Sequence, residues 1–259
     1  MTKSIDLNCD MGESFGRYKL GLDEEVIKEI TSANVACGWH AGDPLVMDRT
    51  VRMAREQMVG IGAHPGFPDL LGFGRRNLDC SLEEVKNYVI YQIGALQAFC
   101  QAHNTRLQHV KPHGSLYLSM LEDEDLARTV AEAVAALDPS LICLTLAGAK
   151  NQNMTRACRE FGLKIAYEAF PDRAYTKDGT LVSRRNPGSV IQDPDQAAER
   201  ALSMARDNQV LAEDGSKIPL EVHTLCVHGD TPTALELVKR IRGELQGAGL
   251  KVSPLREFL

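Results

Sequence analysis

The chain has 259 residues, 44% of them hydrophobic and 25% charged, a composition that fits a soluble globule of one large α/β domain. Its 29 basic and 35 acidic side chains give a formal charge of −6 with only 5% aromatics, which argues against a nucleic-acid surface of clustered cations and stacking rings. Seven scattered cysteines without a Cys-x-x-Cys pair, a polar start and no apolar run of transmembrane length lead us to expect a cytoplasmic protein with no membrane contact.

In chain order, short apolar runs predict seven strands, at 4–9, 33–37, 59–63, 106–111, 141–146, 164–170 and 223–227. Successive side chains of a strand face opposite ways, so parity assigns each residue to a face. In Ser4 to Asp10, the residues Asp6, Asn8 and Asp10 fall opposite Ile5, Leu7 and Cys9. Asn34 and His40 oppose Val35 and Cys37, and Gly62 and His64 oppose Ile61 and Ala63. His109, Lys111 and His113 oppose Val110, while Glu168 and Asp172 oppose Tyr167 and Ala169. The last run ends with His228 and Asp230 opposite Val227.

Helical patterns separate these runs. Asp43 caps and Pro44 opens the first, with Met47, Val51, Ala54 and Met58 in helical spacing. Ser81 to Glu84 is a capping box, followed by a stripe of Val85, Val89, Ile93, Leu96 and Cys100. Further helices are expected over 126–137, 151–161 with Gly162 as its stop, 194–208 and 231–246. Such alternation means a parallel sheet. An open doubly wound sheet buries apolar residues on both faces, whereas here one face of each strand is small and polar. The pattern therefore predicts one domain over 1–259, a seven-stranded parallel (β/α) barrel with a partly hydrophilic interior and catalytic groups at the C-terminal rim. Two long segments rich in Gly, Pro and Arg, 64–80 and 171–194, sit on that rim.

The chemistry-bearing residues converge on the rim. Asp10, His40, His64, Lys111, His113 and His228 are the catalytic candidates, since histidines and carboxylates at strand ends suit proton transfer. Asn8, Glu13, Glu168, Asp172, Arg173 and Asp230 are the substrate-binding candidates. Each has a bland alternative. Glu13 could cap the first loop, Lys111 could sit in a structural ion pair, Glu168 could bridge to Arg173, and Asp230 could cap a helix. Arg75-Arg76 or Arg184-Arg185 could hold a carboxylate or phosphate. Cys9, Cys37 and Cys226 read as buried core thiols. There is no P-loop, no dinucleotide fingerprint after Gly60-Ile-Gly62, no nucleophile elbow around His113-Gly-Ser115 and no His-Glu-x-x-His.

Six strings carry a family signature: Ile5 to Glu13, Asn34 to Asp43, Gly62 to Asp69, Val110 to Tyr117, Glu168 to Tyr175, and Cys226 to Asp230. Together they resemble the LamB/YcsF family, which includes one component, the A subunit, of a prokaryotic ATP-dependent 5-oxoprolinase. The resemblance runs from about residue 4 to 253. It implies a barrel similar to glycoside hydrolase and deacetylase barrels, partner subunits B and C, and hydrolysis of the cyclic amide 5-oxo-L-proline to glutamate with ATP as co-substrate. In that reaction Asp10, His40 or His64 would be the general base, Lys111 or Arg173 would hold phosphate or the substrate carboxylate, and His113 or His228 would protonate the leaving nitrogen. The competing reading is a stand-alone metal-dependent deacetylase or amidohydrolase, with Asp10, His40 and His64 as ligands of a divalent metal.

Overall fold

The computed structural model describes residues 3–227 and 233–259. Strands β1 (Ser4–Met11), β2 (Ser32–Ala36), β3 (Gly60–His64), β4 (Leu107–Val110), β5 (Ile142–Leu146) and β6 (Lys164–Ala169) pair in sequence order, all parallel. A short antiparallel hairpin, β7 (Gln209–Leu211) and β8 (Lys217–Pro219), stands apart. Strand β9 (Thr224–Val227) then pairs with both β6 and β1, which closes a seven-stranded barrel. The two-residue β10 (Lys251–Val252) adds only to the start of β1. The predicted strands are thus all present, to within two residues at most ends.

The outer layer follows the sequence signals closely. Helix α1 is a short turn at Asp23–Val26, and α2 (Pro44–Glu56) is capped by Asp43, whose side chain accepts from Val46 N. Helix α3 (Leu82–Ala102) starts at the Ser81–Glu84 capping box. Helices α5 (Glu124–Leu137), α6 (Gln152–Glu160), α7 (Pro194–Asp207) and α8 (Ala234–Gly247) complete the expected set. Helix α4 (Gly114–Glu122), opening directly after His113, was not expected. Met58 departs from its assigned stripe: α2 ends before it, its φ is +57°, and it is 83% exposed. Among the described residues no helix is long and apolar enough to cross a membrane.

Strand parity divides the core into two chemistries. Ile5, Leu7 and Cys9 are fully buried in one apolar cluster with Val51, Val238 and Ile241 from the surrounding helices. Each such aliphatic burial is worth about 1.5–3 kcal/mol. The opposite face fills the barrel with a hydrogen-bonded polar column. At its base Asp6 accepts from Thr31, Ser32 and Thr224 hydroxyls at 2.5–2.7 Å. One layer up, Asn8 donates to Thr224 Oγ1 and accepts from Asn34 Nδ2. His109 Nε2 lies 2.7 Å from Asn34 Oδ1, and as that oxygen only accepts, the ring carries its proton on Nε2. Burial, then Lys111 and His64, push the His109 pKa down to about 3, which keeps the ring neutral.

A bulge in β4 makes room for this column. The register steps from Ile61–Leu107 to Gly62–His109, so Gln108 is the extra residue. Both Gln108 and His109 then reach inward, the former donating to Ser32 Oγ. They lie directly over Gly60 and Gly62, where any Cβ would collide with their side chains.

Candidate active site

At the C-terminal ends of β1, β3 and β4 the column opens into a cluster of ionisable groups. Lys111 is its hub, with Nζ 2.9 Å from Asp10 Oδ1, 3.1 Å from Cys226 Sγ and 2.9 Å from Glu168 Oε1. The first two are hydrogen bonds, and the Glu168 contact is an ion pair without hydrogen-bond alignment. Burial alone would deprotonate such a lysine. Asp10, foremost, then Cys226 and Glu168 outweigh it and hold the pKa well above the ordinary value. Tyr117 of α4 donates to Glu168 Oε2 at 3.1 Å, and Phe170 places its ring 5.4 Å from Nζ. Asp10 also accepts from Asn34 Nδ2 at 2.8 Å, which joins the site to the column below. Its side chain is 12% exposed, against 4% for Lys111, 2% for His64 and 0% for Glu168, so Asp10 is the member of this group most open to solvent.

Beside the lysine hub stand three imidazoles. His64 Nε2 is 3.4 Å from Asp10 Oδ2, and its Nδ1 lies 2.6 Å from Lys111 O. His113 Nδ1 is 2.9 Å from His64 Nε2, and its Nε2 lies 2.8 Å from Phe73 O. His40 stacks on His113 with ring centroids 3.7 Å apart and planes within 4°. The rim segment after β3 folds over this stack: a Cβ at Gly74 would stand 2.8 Å from both His113 Cδ2 and His40 Cβ. The Phe73 ring meets His40 and His113 edge-on. Glu13, buried with 7% exposure, offers a carboxylate oxygen to the same space.

The fold therefore gathers Asp10, Glu13, His40, His64, Lys111, His113 and Glu168 at one end of the barrel. Asn8 belongs to the layer beneath, tied to Thr224 and Asn34. Glu168 pairs with Lys111, whereas the sequence weighed Arg173 as its partner. Arg173 instead donates to the Ser189 and Val182 carbonyls, and Asp172 O accepts from Ile191 N, so both residues brace the long segment after β6. His228 and Asp230 lie outside the described residues. Tyr117, Phe73 and Cys226 were not among the site candidates. Tyr117 closes the signature string Val110 to Tyr117 and sits four residues after His113, one helical turn into α4, and these were its available signals.

Comparison with known proteins adds relatives over the whole barrel. A model of the LamB/YcsF family matches residues 5–259. A protein of Pyrococcus horikoshii, named as the A subunit of 5-oxoprolinase, is 56% identical over 255 residues, covering 98% of this chain and 99% of that protein. The crystal structure of a lactam utilization protein from Thermus thermophilus superposes with a TM-score of 0.90 at 46% identity, covering 96% of this chain and 99% of the other. A putative cellobiose-phosphate cleavage protein from Enterococcus faecalis shares the fold alone, with a TM-score of 0.63 at 13% identity over 99% of both chains.

Proposed function

The chain belongs to the LamB/YcsF family, and from that premise we propose that it is the A subunit of an ATP-dependent 5-oxoprolinase. Its substrate is the lactam of 5-oxo-L-proline, opened to L-glutamate as ATP becomes ADP and phosphate. The whole of 1–259 acts as one barrel domain in the cytoplasm, with B and C subunits as partners. Relatives named for one lettered component of an enzyme support the presence of partner subunits.

The observation that carries the proposal is the placement of Asp10, a carboxylate gripped by Lys111 at 2.9 Å yet the most open group of a buried rim cluster. A lactam carbonyl is a weak electrophile, and its activation as a phosphorylated lactam oxygen belongs with the partner subunits, because this sequence has no P-loop. At the rim, water then adds its oxygen to the activated ring carbon while Asp10 takes the proton. The carbon–nitrogen bond breaks, and Asp10 returns the proton to the departing nitrogen. The open-chain acyl phosphate takes up a second water, releasing phosphate and leaving glutamate. Lys111 orients Asp10 at 2.9 Å and places positive charge beside the carbon where negative charge develops. Both ring nitrogens of His113 are engaged, which makes it a weaker choice than Asp10 for protonating nitrogen. The stand-alone amidohydrolase reading is not favoured, since the full-length relatives are named as one component of 5-oxoprolinase.

The test is glutamate release from 5-oxoproline, with ADP followed in parallel. The chain alone is expected to give neither product, and addition of the B and C subunits to give both. Asp10→Asn should lower the complete enzyme's kcat by about 10²–10⁴-fold, the range for loss of a general base. ATP-driven glutamate formation by the isolated chain, or near-normal turnover by the variant, would sink the proposal.

A further inference from the structure

We propose that Glu13, His40, His64 and His113 form a binding site for one divalent transition-metal ion. One donor atom from each residue lies within 4.8 Å of the others, and all four residues are buried. The inference concerns binding and holds whatever the substrate of the barrel.

The hydrogen-bond pattern of the histidines carries it. Phe73 O and Lys111 O are carbonyls and only accept. His113 must therefore carry a proton on Nε2, and His64 a proton on Nδ1. If His64 is neutral, the two inner nitrogens, His113 Nδ1 and His64 Nε2, face one another at 2.9 Å with a lone pair each, and Asp10 Oδ2 adds negative charge 3.4 Å from His64 Nε2. Only a positive charge between or beside them makes that approach attractive. Two donors on one ion, each about 2.1 Å from it, lie about 3.0 Å apart at a right angle and about 3.4 Å apart at the tetrahedral angle, a spacing close to this one. Tying the outer nitrogen of a ligating histidine to a carbonyl is also how metal sites fix the tautomer that offers a lone pair.

His40 supplies a second, independent sign. It is fully buried, and among the described residues neither ring nitrogen has a hydrogen-bond partner. An imidazole without a partner in such a place is a costly omission unless something else engages it. Space is reserved as well, since a Cβ at Gly66 would stand 2.9 Å from His40 Nδ1.

The donor set is three imidazoles and one carboxylate. Such a nitrogen-rich set suits zinc, iron or manganese, whereas magnesium and calcium prefer all-oxygen shells. It differs from the set expected from the sequence: Glu13 takes the place of Asp10, whose Oδ1 is engaged by Lys111 and Asn34, and His113 is added. An ion held there would supply a Lewis acid next to Asp10.

The experiment uses the full chain, stripped with a chelator and then dialysed against zinc or cobalt(II). Elemental analysis should find about one ion per chain, with cobalt giving the visible absorption of a low-symmetry nitrogen site. Zinc-edge X-ray absorption on the unsubstituted protein should count imidazole nitrogens in the first shell. His113→Asn and the milder Glu13→Gln should each weaken binding by at least about tenfold, with circular dichroism reporting that they fold. A folded, unsubstituted chain that takes up no ion would overturn the proposal and leave a shared proton as the charge between the rings. So would stoichiometric metal retained undiminished by both folded variants, which would place the ion elsewhere.

Discussion

Lys111 Nζ lies 2.9 Å from Asp10 Oδ1 and so ties the end of β4 to the end of β1, two strands that are not neighbours in the barrel. The bridge crosses the mouth from inside, above the column of Asp6, Asn8, Asn34 and His109. Two carboxylates, Asp10 and Glu168, share this one ammonium in surroundings with little water.

Removing the ammonium should therefore destabilise the fold as well as the chemistry. Lys111→Met leaves Asp10 and fully buried Glu168 facing each other without their common cation. Breaking a buried pair on one side costs about 3–5 kcal/mol. The double variant Lys111→Met, Glu168→Gln should recover part of that loss, because it removes a buried charge too. Urea unfolding measures both. Equal stability of Lys111→Met and the unsubstituted chain would show that the pairing contributes nothing to folding.

Asp6, at the base of the column, gives stability a pH signature. Burial, opposed by the Thr224, Ser32 and Thr31 hydroxyls, pushes its pKa from 3.8 up to about 6. The folded state thus binds this proton more tightly than the unfolded chain. The ionised form weakens the fold above about pH 6, and that penalty fades as pH falls from about 6 towards 3.8. The full effect is about 3 kcal/mol at 1.36 kcal/mol per pH unit. Asp6→Asn should remove this component, so that its stability relative to the unsubstituted chain is higher at pH 7 than at pH 4. A stability difference that stays flat between those values would rule out Asp6 as the source.

Gly62 is held to glycine by His109. A methyl group at this position would collide with the imidazole ring, whose Nε2 donates to Asn34 Oδ1. Gly62→Ala should cost about 1–3 kcal/mol, the range for overpacking a filled interior. For a chain of this length each kcal/mol corresponds to about 2–4 °C, so a lower midpoint should appear in a thermal melt. An unchanged midpoint would mean that the barrel interior yields at His109.

The barrel and its polar interior were legible in the sequence because strand alternation is a local property. Ile5, Leu7 and Cys9 had to face the helices once Asp6, Asn8 and Asp10 faced in, whatever the rest of the chain did. The capping box at Ser81–Glu84 and the Asp43–Pro44 start were equally local. Partner choice was not. Glu168 could pair with nearby Arg173 or distant Lys111, and the pairing of β4 and β6 on either side of β5 brought the lysine within reach. Glu13 stood between a substrate-binding role and a loop cap, and only the meeting of the β1 and β3 ends placed it among three imidazoles. The Gln108 bulge breaks the strict alternation of β4, and only pairing with β3 reveals it. Sequence determined which residues face the interior. Which of them touch was decided by closure, since it brings together groups such as Asp10 and Lys111 that lie 101 residues apart in the chain.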